Sequence, residues 1–267
     1  MKKLLTTFSA ALLALFSSSC LDHEAVIKIN KDGSGTITEQ TLFSAEASAM
    51  MEQMAGLGGE GQDPLSKMID AEGTAACAKK MGEGVEVEKA EKIDKDGRKG
   101  ARVTYKFKDI NQVKFVMGGS MSDAGKSMQP PGLPEEKKPE QKPITFKLED
   151  GKLTLTNPQN KPAEGDGEKP EKPEIDEQQL AMAQGMFKDM RMSLKVEFPG
   201  GIEETDASNV SDNTITLAEM EFAKLVSDPA KLKKLMELDD PTAAATAFKG
   251  VDGLKVEPKE TISVTLK

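Results

Sequence analysis

Short runs in which apolar and polar residues alternate recur along this chain in pairs, each pair joined by a turn rich in Gly, Asp or Asn. Period-two alternation marks a strand with one buried face, and a short polar turn makes two such strands antiparallel neighbours. The first pair fills residues 25–43, AVIKINKDGSGTITEQTLF. The second couples 85–92 to 101–107 across Asp94, Lys95, Asp96 and Gly97. The third is ITFKLEDGKLTL at 144–155, turning at 149–151. Further alternating runs occupy 191–198, the segment IEETDASNVSDNTITL that follows PGG, and the closing LKVEPKETISVTLK.

Helical signals lie between these pairs. Ser44 is a good N-cap for an Ala- and Met-rich helix over Ala45–Leu57, closed by Gly58 and Gly59. Asp63 followed by Pro64 starts a second helix that runs to about 81, before Gly82. DINQVKFVM is a short amphipathic segment with Ile110, Val113 and Phe115 or Val116 inward, and 174–190 is helical by period. The Asp-Pro pairs at 228 and 240 open two more helices, the second ending at Gly250. Helices do not follow every strand, which argues against a doubly wound parallel sheet. The expected class is α+β, with antiparallel hairpins forming a curved sheet or partial barrel and helices packed to one side.

The chain opens with MKKLLTTFSAALLALFSSSC. Lys2 and Lys3, the apolar run 4–16 and the small residues 17–19 have the layout of an export signal, and the run is too short for a permanent membrane helix. The cysteine directly after them resembles the lipobox of bacterial lipoproteins, which implies cleavage before Cys20 and acylation of its thiol. The expected organisation is a leader at 1–19, an N-terminal part of one domain at 20–117, a Pro/Gly-rich flexible loop at 118–143, and a C-terminal part at 144–267 with a Pro/Glu/Lys-rich insertion at about 157–174. Nine of the fourteen prolines fall in the two insertions, so neither reads as a strand. Leu21, rather than Asp, after the cysteine resembles the sorting pattern for the outer membrane.

Charge excludes some partners. The 36 Lys and Arg against 45 Asp and Glu give −9, and losing Lys2 and Lys3 with the leader gives −11. Nucleic acid is not the expected partner, and adhesion to anionic headgroups through clustered cations is disfavoured. The expected partners are the membrane, through the N-terminal lipid, and an apolar ligand or envelope protein. Only Cys20 and Cys77 are present. Two readings of Cys77 are open: a small buried hydrophobe on the second helix, or half of a Cys20–Cys77 disulfide in a soluble secreted protein.

The inventory for catalysis is thin. His23 is the single histidine and lies at a tether or first strand, which favours a structural role over a Ser-His-Asp or Cys-His site. Cys and His are too few for a zinc centre, and no cofactor is expected. The 30–41 turn imitates a calcium loop through Asn30, Asp32, Ser34 and Thr36, but Thr41 stands where a bidentate Glu belongs and both flanks are β-prone. Gly125, Lys126 and Ser127 imitate a phosphate loop whose first glycine is misplaced. A carboxylate-based hydrolase is the enzymatic alternative, weakened by the lack of Trp and the presence of one Tyr. Met50, Met51 and Met54 on the first helix and Met182, Met186 and Met190 on the later one either fill a core or line an adaptable apolar groove.

Several segments, taken in order, resemble the LppM-type lipoprotein domain of bacteria. They are Cys20, the DGSGT hairpin directly after it, DGRKGARVTYKFKDI, and SLKVEFPGGIEETDASNVSDNTITL. The resemblance implies a lipid-anchored domain with lipid binding as its role and no enzyme chemistry. The helical pair at 45–81, the two insertions and the helical region 218–250 depart from the family pattern. The sequence-based expectation is therefore a non-enzymatic, membrane-anchored envelope lipoprotein that binds a partner protein or apolar ligand.

Overall fold

The computed structural model describes residues 21–57, 64–119, 142–158, 190–226 and 251–267. The leader and Cys20, most of the 118–143 loop and the 157–174 insertion, the 174–190 helix up to residue 189, and the helices expected between residues 228 and 250 lie outside the described residues.

The first hairpin is β1 (Leu21–Ile29) and β2 (Gly35–Phe43), paired in unbroken register from Leu21 opposite Phe43 to Ile29 opposite Gly35. Ser44 then accepts a hydrogen bond from the Ala47 amide at 3.1 Å and starts α1 (Ala45–Leu57). The single second helix expected from the sequence is instead two: α2 (Pro64–Met68) and α3 (Ala71–Met81). The break is local chemistry. Asp70 is extended and its carboxylate accepts from the Gly73 amide at 2.9 Å, so it caps a new helix rather than continuing the old one.

The second hairpin joins β3 (Glu86–Lys95) to β4 (Arg98–Phe107) through a tight two-residue turn. Asp96 and Gly97 both have positive φ, at 55° and 75°, the twist that a two-residue hairpin requires. Both strands are longer than the alternation suggested. A 3-10 turn at Ile110–Gln112 and the two-residue β5 (Lys114–Phe115) follow, with Ile110, Val113 and Phe115 all buried as expected. β6 (Ile144–Glu149) and β7 (Lys152–Thr156) form the third hairpin.

In the C-terminal half, β8 (Arg191–Glu197) is followed by β9 (Ile202–Thr205), β10 (Val210–Ser211) and β11 (Thr214–Glu221). β11 reaches Glu221, so residues 218–221 are strand and not the start of the expected helical region. The short α4 (Phe222–Val226) comes after it. The closing run is broken at Pro258 into β12 (Leu254–Val256) and β13 (Thr261–Leu266).

These strands make two sheets among the described residues, neither closed into a barrel. Sheet A runs β10-β11-β8-β1-β2-β4-β3, with β12 also on β11, and sheet B runs β5-β6-β7-β13-β9. Antiparallel pairing dominates. The exception is β1 with β8, which are parallel, Asp22 opposite Arg191 through Lys28 opposite Glu197. That pairing fuses the two halves of the chain in the middle of sheet A.

One core holds both sheets. Ala25, Ile27, Ile37, Val103, Tyr105 and Val196 of sheet A share it with Phe115, Phe146, Leu153, Leu155, Ile262 and Val264 of sheet B, and Cys77, Ala78 and Met81 of α3 join them. Sheet B sits against the turn end of the first hairpin: the Ile110 amide donates to the Gly33 carbonyl at 2.9 Å, and a side chain added at Gly33 would meet Leu148. Sheet A extends past this contact toward the start of β1. No described helix is long and apolar enough to cross a membrane.

Candidate functional site

Because β1 to β8 are in register, the inner face of sheet A can be laid out in rows. Tyr105, Ile37, Ile27 and Val196 form one, followed by Val103, Glu39, Ala25 and Leu194, and then Ala101, Thr41, His23 and Met192. Moving toward the start of β1, each row becomes more polar. All of these residues except Met192 are buried. The apolar alternation that builds the core therefore carries a polar track across β1, β2 and β4.

His23 is 1% exposed. Its Nδ1 lies 3.0 Å from Thr41 Oγ1, and its Nε2 lies 3.9 Å from a Glu39 carboxylate oxygen, beyond hydrogen-bond reach. Burial pushes the imidazole down to about 4, so it is neutral at pH 7. Tyr105 is fully buried; burial first, then the Glu39 carboxylate and Cys77 nearby, push its phenol well above the usual range. The phenol therefore stays protonated. Among the described residues His23 Nε2, Tyr105 Oη, Arg191 Nε and, on the buried side of α1, Ser48 Oγ are buried without a hydrogen-bond partner.

Burying a polar group without a partner costs about 1–3 kcal/mol. Two of these groups, His23 and Tyr105, lie on the inner face of sheet A, two rows apart. What the track offers chemically is a neutral imidazole, a protonated phenol and hydroxyls set in an apolar layer, beside the Glu39 carboxylate and the Cys77 thiol.

The residues singled out from the sequence fall as follows. Cys20, Met182 and Met186 lie outside the described residues, as do the lookalike phosphate-loop residues 125–127. Met50, Met51 and Met54 lie on the α1 backbone, which leaves the end of β2 and packs beside β4. Met190 is half-buried just before β8, its carbonyl accepting from the Phe222 amide at 3.0 Å. β8 and β2 flank β1 on opposite sides, so α1 and Met190 border the same end of sheet A from two directions. Cys77 is buried in the core. The calcium lookalike is a β-hairpin turn in which Asp32 accepts from the Ser34 amide at 2.9 Å and its hydroxyl at 2.7 Å.

Sequence reasoning passed over Glu39, Thr41 and Tyr105, and treated His23 as structural or incidental. The signal was present. In LDHEAVIKI, His23 shares parity with Ala25, Ile27 and Ile29, and in GTITEQTLF, Glu39 and Thr41 share parity with Ile37, so a buried face carries three polar residues.

Two other polar groupings have structural work. On the outer face of sheet A, Glu219 bridges Arg191 at 3.0 Å and Lys255 at 2.9 Å, and Lys195 meets Glu24 at 3.1 Å. In the loops, the buried Glu257 carboxylate accepts from the Ser208 amide at 2.6 Å and from its hydroxyl at 3.1 Å. Asp206 accepts from the Ser263 amide at 2.7 Å and from Lys259 Nζ at 3.0 Å. Both loop carboxylates pin residues 206–208 to the segment that enters β13.

No family model matches the chain, and no curated protein matches it in sequence. Among solved structures, the NMR structure of the LppM folded domain of Mycobacterium tuberculosis matches it with 10% identity and a TM-score of 0.33, over 94% of this chain and 91% of that one. The likeness stops at that level.

Proposed function

We propose that the protein is an exported lipoprotein, acylated at Cys20 and held at the outer membrane, that acts without catalysis by binding an amphipathic ligand at the β1-start end of sheet A. The carrying observation is the run of buried polar residues, His23, Thr41 and Glu39, on the inner face of sheet A toward the start of β1, with His23 Nε2 and, on the adjoining α1, Ser48 Oγ left without a partner. A ligand with an apolar body and a polar head satisfies both the surface and the orphaned atoms. The leader, ending in small residues and Cys20, supports the anchor, and Leu21 after it supports outer-membrane sorting.

A hydrolytic role is less well supported. The order Thr41 hydroxyl, His23 imidazole and Glu39 carboxylate imitates a nucleophile, base and orienting group. However, the His–Glu separation of 3.9 Å is long, Thr41 is 3% exposed, and an imidazole held near pKa 4 is a weak base at neutral pH.

The mature chain with Cys20→Ser, titrated with a fluorescent fatty acid and separately with a fluorescent phospholipid, should bind at least one saturably. His23→Leu, which removes the orphaned ring nitrogen at that end of the sheet, should weaken that binding with the circular dichroism spectrum unchanged. Polar substitutions at Met182 and Met186 test the groove in the same assay. Absence of saturable binding to both probes refutes the ligand reading. Fatty-acid labelling in cells, abolished by Cys20→Ser, tests the anchor independently.

A further inference from the structure

The position of β1 fixes how such an anchored domain meets its membrane. Leu21 is already in the ladder, opposite Phe43, and the next residue pairs with Arg191 on the other side. Adjacent Cα atoms are about 3.8 Å apart, so an acylated Cys20 emerges from the rim of sheet A with no linker between lipid and fold. This inference rests on the Cys20 reading above.

Several elements share that rim. β2 ends there at Phe43. The β3–β4 hairpin projects one pair further, Lys95 opposite Arg98, with Asp96 and Gly97 exposed at its tip. β8 starts there, and β11 passes into α4 at Phe222, whose amide is bonded to the Met190 carbonyl. Leu21, Phe43, Met190 and Phe222 are each half-buried, leaving part of an apolar side chain at the edge. At the other end of β1 are the exposed turn residues Lys31 and Asp32. Eight steps along a strand separate Leu21 from Ile29, which is about 27 Å.

We propose that the domain rests on the bilayer through this rim, with the β3–β4 tip and the half-buried Leu21, Phe43, Met190 and Phe222 at the headgroup layer and the Lys31–Asp32 turn pointing away from it. The occupant of the surface is the lipid that the anchor itself enters. Acyl chains fix one point of the rim at the interface, and partial insertion of the neighbouring apolar edges favours the tilt that brings the whole rim down. Of the charges on the rim, Arg98 is matched with Asp22, Lys99 with Glu52 and Arg191 with Glu219, and the exposed Asp94, Lys95 and Asp96 of the tip stay among the polar headgroups. In this orientation His23, three residues from Cys20, is within about 10 Å of the anchor point, so the polar track lies on the membrane side of the domain.

The test uses the full acylated protein in phosphatidylethanolamine/phosphatidylglycerol vesicles carrying a headgroup-proximal doxyl lipid as quencher. A bimane probe is placed by Lys95→Cys or by Lys31→Cys, two exposed lysines at opposite ends, with the chain carrying only the buried Cys77 as background. Quenching at position 95 should exceed that at position 31 several-fold. Intact mass on the same samples reports acylation. Equal quenching, or stronger quenching at position 31, in acylated protein overturns the orientation alone; an unacylated mass overturns the anchor and the orientation with it.

Discussion

His23 and Thr41 face each other across β1 and β2, Nδ1 3.0 Å from Oγ1, both sealed from solvent three residues or fewer from the edge of the ladder. The neutral imidazole that results makes stability depend on pH. The unfolded histidine takes up a proton near 6.5 and the folded one only near 4, so stability is lost as pH falls from about 6.5 to 4 and levels off below that. The loss is roughly 3 kcal/mol at 1.36 kcal/mol per unit. Denaturant titrations at pH 7 and pH 5 should show about 2 kcal/mol of it, and His23→Gln, compared with wild type at both values, should remove the histidine part of the difference while leaving the common acid response of the carboxylates.

Gly100 on β4 sits opposite Leu42, and a Cβ there would run into the backbone carbonyl of Thr41. Ladder backbone moves only if β2 and β4 part. Gly100→Ala should cost about 1–3 kcal/mol or more. Gly97→Ala is the control: nothing stands near its Cβ, so its cost is the left-handed φ of 75° alone, about 1–2 kcal/mol. Urea midpoints should rank Gly100→Ala below Gly97→Ala; the reverse order would mean the two strands can separate cheaply.

Glu257 is buried and gathers donors from Ser208 and, at 3.3 Å, the Lys259 amide. Glu257→Leu strands those donors and should lower stability by about 2–3 kcal/mol, whereas Glu257→Gln keeps an acceptor and should cost less. Amide hydrogen exchange at Ser208 should accelerate in the Leu variant first.

Asp70 separates α2 from α3 by capping the second. Asp70→Ala removes the acceptor for the Gly73 amide and should cost about 1 kcal/mol, with Asp70→Ser retaining most of the stability. Thermal unfolding followed by circular dichroism is sufficient to rank the three chains.

Asp32 uses its carboxylate on Ser34 within a hairpin turn. Thermal midpoints in millimolar calcium and in chelator should coincide, for wild type and for Asp32→Ala alike; a midpoint that rises with calcium in the wild type and not in the variant would make the turn a metal site after all.

Local chemistry was enough to place the hairpins. Alternation and turn residues are nearest-neighbour properties, so AVIKINKDGSGTITEQTLF specifies β1 and β2 wherever they end up, and Ser44 specifies the start of α1 in the same way. Where a local competitor was overlooked, the reading failed: Asp70 recaps a helix that period alone would have carried through, and Pro258 divides the last run into strands of different sheets. The leader and its cysteine are likewise legible without a fold, because export machinery reads an extended segment.

What tertiary structure decided is which strands meet and which faces close. Nothing in residues 22–28 or 191–197 announces that they pair in parallel across more than 160 positions, because a ladder between distant segments is selected by the burial of a shared face and not by either segment's own preferences. The same pairing, with β2 on the other side, takes a histidine, a glutamate and a threonine that look incidental in sequence and buries them side by side on one inner face. Parity along each strand was readable from the sequence. Their meeting follows from the turn, which sets the hairpin register; that the face they share is sealed required the strands and the second sheet that pack around it.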